Sequence, residues 1–426
     1  MVGVIMSSLT KSLNVYQGVG ILVSTLLGSS IFIVPAMAAS LAGQKSIIAW
    51  LLTLLCILPV AFTFSNLAAL YPSEGGTAFF IRQAFNGQFE RFTSWLFLAA
   101  MPIAPPIILI TGVSYLGALW NLNEFQLFLA ESFSLLALFV INRYGIHFMS
   151  KLNTFITLVT LAILACLIVK AGLAGAFARP ADLSLSWSDL GIVVPAVSLI
   201  FWCFVGIEAV VHLAGSFKNV KRDFPLTILI SIGIVGGLCI LLGLIVLKYH
   251  AYGNPVLNAN YMVFLFNILF GSAGKIFVAV MAFCTCLAAV NLYLVSFSKM
   301  LYAMSMTGAL PECFQKLNKM SVPIPAMLLC YSIVFLTLLG RQLLGFQLEE
   351  LILYANVIFM AVYLLASLAG VVLLSGLKRG MACLSTLLCS LLFISLGIKC
   401  IYVLLLCIGV MIIDYIWYHH QRIIQA

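Results

Sequence analysis

Runs of about 20 apolar residues recur along the chain, and each is long enough to carry a helix across a hydrocarbon core about 30 Å thick. Bounded by polar residues or by Gly and Pro, they fall at 15–42, 47–70, 92–119, 124–142, 152–170, 190–215, 225–248, 274–300, 322–340, 350–375, 381–398 and 400–418. In lipid every backbone polar group must be satisfied within the protein, so a continuous apolar run spans as an α-helix. A β-barrel is excluded, because its strands are alternating segments of about ten residues. A water-soluble fold is excluded by surface chemistry: 12 acids and 21 Lys and Arg cannot cover a chain of 426 residues that is 64% hydrophobic. The same composition excludes disorder. The sequence predicts an all-α polytopic membrane protein with twelve transmembrane helices, the first of them too long for a cleaved secretory signal.

The even number of spans puts both termini on one side, and the basic residues choose it. Lys11, Arg82, Arg91, Arg143, Lys151, Lys218, Lys221, Arg222, Lys299, Lys316, Lys319, Lys378, Arg379 and Arg422 fall on the side of the termini, and seven fall opposite. Basic residues collect in cytoplasmic loops, so both termini are expected to be cytoplasmic. The net charge of +9 has its explanation there, and no nucleic-acid partner is expected. The twelve cysteines sit almost entirely inside apolar runs and read as small hydrophobes, with no zinc, haem or disulfide signature. Residues 73–91 are Gly-rich and then amphipathic, which predicts an interfacial helix on the cytoplasmic side, and 258–270 is a second such segment outside.

Two spans are interrupted. Gly28-Ser29-Ser30-Ile31-Phe32 lies midway in the first and is followed by Pro35; Phe201-Trp202-Cys203-Phe204-Val205-Gly206-Ile207-Glu208 interrupts the sixth. Either break alone reads as small residues permitting close helix packing. Paired, five helices apart and in oppositely oriented spans, they point to an inverted-repeat transporter whose site lies at the breaks. Only Glu131, Glu208 and Asp414 lie within apolar spans rather than at their ends. A buried charge costs about 3 kcal/mol or more unless paired or protonated. Glu208 follows the second break directly, which suits a protonation or substrate-coupling acid; the alternative is a carboxyl satisfying the amides of the restarted helix. His212 is one turn further on, and Glu131 and Asp414 read as structural.

At these residues the chain resembles the amino acid–polyamine–organocation superfamily of secondary transporters, over most of its length. Residues 28–32 match the family's first-helix G-S/T-G-I-F pattern and 202–208 its sixth-helix aromatic-F-x-G-x-E. Tyr71-Pro72-Ser73-Glu74-Gly75-Gly76 resembles the cytoplasmic Y-P-x-x-G-G, and Gly308-Ala309-Leu310-Pro311 the stretch after the eighth helix. Within the family, residues 201–225 and 353–365 look most like bacterial inner-membrane exporters of L-methionine and branched-chain amino acids.

The resemblance implies a first inverted repeat over 1–180, a second over 181–376 and peripheral helices over 377–426. It implies a zwitterionic amino acid held between Gly28, Ser29, Ser30 and Ile31, which meet its carboxylate, and Trp202, Cys203, Phe204, Val205 and Gly206, whose carbonyls meet its ammonium. Trp202 would be a gating aromatic and Tyr293 another wall. Glu208 would couple transport to H+, with Na+ at Thr285 or Ser296 the alternative, and uptake or exchange stands beside export. No cofactor, ATPase subunit or nucleic acid is implied, and the oligomeric state is open. The pattern departs at Ser30, Val220 and Thr307, where the family has Gly, Pro and Asp, and the fifth helix has no Lys over 157–160. A membrane-embedded enzyme is the rival class; the five His lack H-E-x-x-H spacing, and the chain carries no G-x-x-x-x-G-K-[ST] loop.

Overall fold

A computed structural model describes residues 13–72, 76–144, 149–178, 183–211, 213–306 and 308–425, with side chains for all of these except 149–154, 209 and 413–425. The elements are α1 (Val15–Leu27), α2 (Val34–Ala42), α3 (Ser46–Leu70), α4 (Gly76–Ala84), α5 (Gly87–Ala99), α6 (Ala104–Trp120), α7 (Glu124–Arg143), α8 (Met149–Leu173), α9 (Leu190–Ile200), α10 (Ile207–Val211), α11 (Val220–Lys248), α12 (Pro255–Ala259), α13 (Tyr261–Met306), α14 (Ile324–Leu344), α15 (Leu348–Leu373), α16 (Gly376–Ser395) and α17 (Cys400–Gln425). No strand occurs among the described residues. Among the described residues, ten helical stretches are long and apolar enough to cross a membrane, and Val15–Leu27 and Gly397–Ile412 are shorter apolar helices. His212 and Thr307 lie outside the described residues, as do Ser73 to Gly75 of the Y-P-x-x-G-G stretch and the side chain of Asp414.

Short loops end in local caps. Asn14 and Gln17 close a reciprocal box at the start of α1, and Asn123 and Gln126 do the same for α7, satisfying amides that have no partner in a first turn. Pro35, Pro105, Pro255 and Pro325 sit in the first turns of α2, α6, α12 and α14, where a missing N–H costs nothing. The expected span 92–119 is two helices, α5 and α6, separated by Ala100 to Ile103. Three prolines, Pro102, Pro105 and Pro106, explain the division.

Helices α6 and α13 approach closely: a Cβ on Gly112 would stand 2.6 Å from Cys286 Cβ. The segment expected to be interfacial forms α4 and the start of α5. Its first half, α4, packs against α5, α10 and α15, with Phe80 fully buried edge-on to Phe64, while Phe85 and Phe89 keep an exposed edge. The segment 258–270 is likewise packed inward along Tyr261, Met262, Leu265 and Phe266, and bends into the rest of α13 at Gly271, φ 72°.

Glu131 on α7 pairs with Arg341 on α14 at 3.3 Å; it is buried, and its second oxygen has no protein partner. Removing one member of a buried pair leaves an uncompensated charge. Arg341→Met is therefore expected to lower stability by about 1–3 kcal/mol, and adding Glu131→Gln to recover part of the loss. Thermal unfolding of the purified single and double variants in detergent measures both.

Candidate functional site at two helix breaks

Helix α1 stops at Leu27 because Gly28 turns to φ 11°, ψ −124°, and a short turn over Ser30–Phe32 leads to α2. Among the described residues, the N–H groups of Gly28, Ser29, Ser30 and Ile31 meet no backbone or side-chain acceptor. The carbonyls beyond them are occupied: Tyr261 donates its hydroxyl to Ile31 O at 2.6 Å and Tyr115 to Phe32 O at 2.7 Å. Ser30 donates back to Leu26 O at 2.9 Å, closing the last turn of α1. The break is thus a row of main-chain donors. Such a row is suited to an anion.

The second break begins after α9, where Pro195 lacks an N–H and Asn356 on α15 donates to Ser198 O at 2.7 Å. A tight turn over Phe201–Phe204 and an extended Val205 follow. Gly206 has φ 125°, and a Cβ there would stand 3.0 Å from Thr25 Cγ2 on α1, so glycine is needed for both conformation and space. Glu208 Oε2 accepts from Gly206 N–H at 3.0 Å and from the Tyr363 hydroxyl. Tyr363 also lies 3.3 Å from Phe204 O, so one residue of α15 ties both sides of the break.

The two breaks pack against each other, and the Cys203 thiol lies beside Ser30 and the thiol of Cys239. Residues 28–32 and 201–208 are all buried. Trp202 is 4% exposed, edge-on to Phe359, and Phe201 is edge-on to Tyr363. Tyr293 is half-buried on α13, within electrostatic range of Glu208 and Tyr363. Of the hydroxyls considered for a cation, Ser296 faces outward, and Thr285 is engaged with Thr160 at 2.9 Å and with Met281 O at 2.8 Å. Every candidate residue from 28–31 and 202–208 is therefore in one neighbourhood, with Tyr293 at its edge. Sequence reasoning missed Tyr115, Tyr261, Tyr363 and Asn356. The available signal was a polar group deep in an apolar helix, which requires a partner.

The chain matches the amino acid permease family over residues 13–414 and belongs to it. It is a membrane transport protein for amino acids, not an enzyme. It is 34% identical over 408 residues to the L-methionine/branched-chain amino acid exporter YjeH of Escherichia coli K12, covering 95% of this chain and 96% of that protein. It is 26% identical over 371 residues to the uncharacterized amino acid permease YecA of Bacillus subtilis 168, covering 86% of each. It is also 26% identical over 240 residues to a cadaverine/lysine antiporter of E. coli K12, covering 54% of this chain and 52% of that protein.

The two glycines of the breaks should respond differently to a methyl group. Gly206→Ala is expected to cost about 1–3 kcal/mol, through its left-handed φ. Gly28→Ala, whose Cβ meets nothing nearer than Thr25 O at 3.4 Å, should stay within about 0.5 kcal/mol of the parent. Thermal unfolding of the purified proteins distinguishes them.

Proposed function

We propose that this protein is a secondary active transporter of neutral amino acids that exports L-methionine, leucine, isoleucine and valine across a bacterial inner membrane, with both termini cytoplasmic. The observation that carries the reading is the row of four unpaired amides at 28–31 set against a second break containing a buried carboxyl. The substrate carboxylate accepts from those amides, and its ammonium meets the carbonyl end of the turn around Trp202, Cys203 and Val205. Phe204, Ile207, Tyr293 and the Pro-rich stretch 102–107 form the wall for an apolar side chain. The identity to the E. coli exporter over nearly the whole chain supports this substrate class and direction.

The repeats run over 1–180 and 181–376, with 377–426 peripheral, giving twelve spans once α1 with α2, α9 with α10 and α17 are counted. An inversion is supported by the backbone pairing of Leu13, just before α1, with Phe217, just after α10: one broken span begins where the other ends. Glu208 is the coupling acid. As a carboxylate it accepts from both Gly206 N–H and Tyr363 through Oε2; a proton on it takes away the charge that strengthens both bonds and loosens the tie between α10 and α15. Proton exchange at Glu208 thereby alternates the packing of the second break.

Counterflow in proteoliposomes with labelled amino acids tests the substrate. Met, Leu, Ile and Val should compete, and Arg, Lys and Glu should compete at least about tenfold more weakly, since the wall offers a charge no partner. Better competition by Arg, Lys or Glu than by Leu would overturn the reading.

Glu208→Gln keeps the shape and fixes a neutral group. It is expected to leave binding and counterflow largely intact while abolishing flux driven by a pH gradient. Unchanged pH-driven flux removes Glu208 from coupling; loss of folded protein or of binding assigns it to capping α10 instead.

A further inference from the structure

A groove runs along the outside of the bundle between α7 and α14, away from both breaks. It consists of two cavities, of about 580 and 650 Å³, that share Phe139 and Leu328 in their walls. One end is lined by Arg143, Asn318 and Lys319, and the other reaches Ser132 and Leu336. From Ser132 to Arg143 a helix rises about 16 Å, half of a hydrocarbon core of about 30 Å. The groove is therefore as long as one leaflet is deep, with one basic end and one apolar end.

The basic end is built by specific contacts. Asn318 donates from Nδ2 to Arg143 O at 2.8 Å, and its Oδ1 accepts from the N–H groups of Met320 and Val322, each at 2.9 Å. This pins the loop that carries Lys319 onto the end of α7. Arg143 and Lys319 are exposed, and among the described residues neither pairs with an acid. Below them the walls are rings and branched chains, with Phe133, Leu136 and Leu336 all more than half exposed. The Tyr331 hydroxyl in the wall is occupied by Asn142 at 2.7 Å.

We infer that this groove binds one anionic phospholipid from the leaflet that meets Arg143 and Lys319, with its phosphate between the two cations and an acyl chain along Phe139, Leu328 and Phe335. The charges match a phosphate headgroup, and the apolar length matches a chain ending at the midplane. A free amino acid is too short to use both ends. A helix of a second copy would cover both leaflets, whereas here the next turns toward the opposite face carry the Glu131–Arg341 pair. The lipid would also touch a network that joins three helices, because the Asn142 Nδ2 that holds Tyr331 on α14 donates as well to Asn291 on α13 at 2.6 Å.

The full chain in phosphatidylcholine vesicles, doped with a phosphatidylglycerol carrying a photoactivatable acyl chain, tests this; a phosphatidylcholine analogue with the same chain is the control. Peptide mapping should place phosphatidylglycerol labelling on α7 and α14 between Ser132 and Leu336. Combining Arg143→Gln with Lys319→Gln should lower it about tenfold, leaving labelling of α16 unchanged. Leu328→Trp, which fills the junction of the cavities, should remove labelling there by both probes. Gel filtration confirms that each variant is folded. Equal groove labelling by both headgroups, or full labelling of the double Gln variant, would overturn the inference. So would loss of the preference in excess inorganic phosphate, which would mark a free-anion site, or cross-linking of the groove to a second copy.

Discussion

An amide N–H with no acceptor is expensive inside a bilayer, where no water is at hand to replace a lost helical bond. Among the described residues this chain leaves four of them in sequence at 28–31, in a buried stretch. Gly28 turns the chain out of α1, Pro35 starts α2 afresh, and the hydroxyls of Tyr115 and Tyr261 hold the carbonyls of Phe32 and Ile31. The rest of the bundle can be understood as the scaffold for this arrangement. Helix α6 and the first turns of α13 supply the two tyrosines, and the contact of Gly112 with Cys286 sets the spacing of the same pair of helices.

The second break has a different economy. Its chain reversal is enforced by the left-handed Gly206, and its polar groups are gathered by one helix, α15, through Asn356 and Tyr363. Glu208 lies between that helix and the restarted α10, and its Oε2 joins the two through Tyr363 and the Gly206 N–H. A buried carboxyl held by two donors within its own site serves structure in one protonation state and movement in the other. The first break has no titratable side chain of this kind. On the reading proposed above, the first break would hold the substrate and the second would carry the switch.

Much of this was legible in the sequence, for reasons that also set the limit. The spans announce themselves by length, the breaks by Gly, Ser and Pro inside apolar runs, and Glu208 by the cost of its charge. Partners were not legible. Tyr261 is 230 residues from Ile31 and Tyr363 is 155 from Glu208, and no periodicity records such a distance. The segment 73–91 misled because its apolar face resembles one turned to lipid. In a membrane protein a face toward lipid and a face toward another helix share the same residues, and only packing shows that Phe80 lies against Phe64 of α3. The division of 92–119 into two helices was written in Pro102, Pro105 and Pro106, yet a continuous hydropathy masked it.

The donors at 28–31 belong to the main chain, and this bears on how such a protein can vary over generations. No exchange of side chains at these positions deletes an N–H, apart from proline, so the anion-facing end of the proposed site is inherited with the fold. The far end of that proposed site is made of side chains, among them Phe204, Ile207 and Tyr293, and each of these can be exchanged for a different shape. Descendants of one ancestor can therefore drift in the group they accept at that end while the anion-facing end stays fixed, and new specificities arise without rebuilding the more costly half of the site.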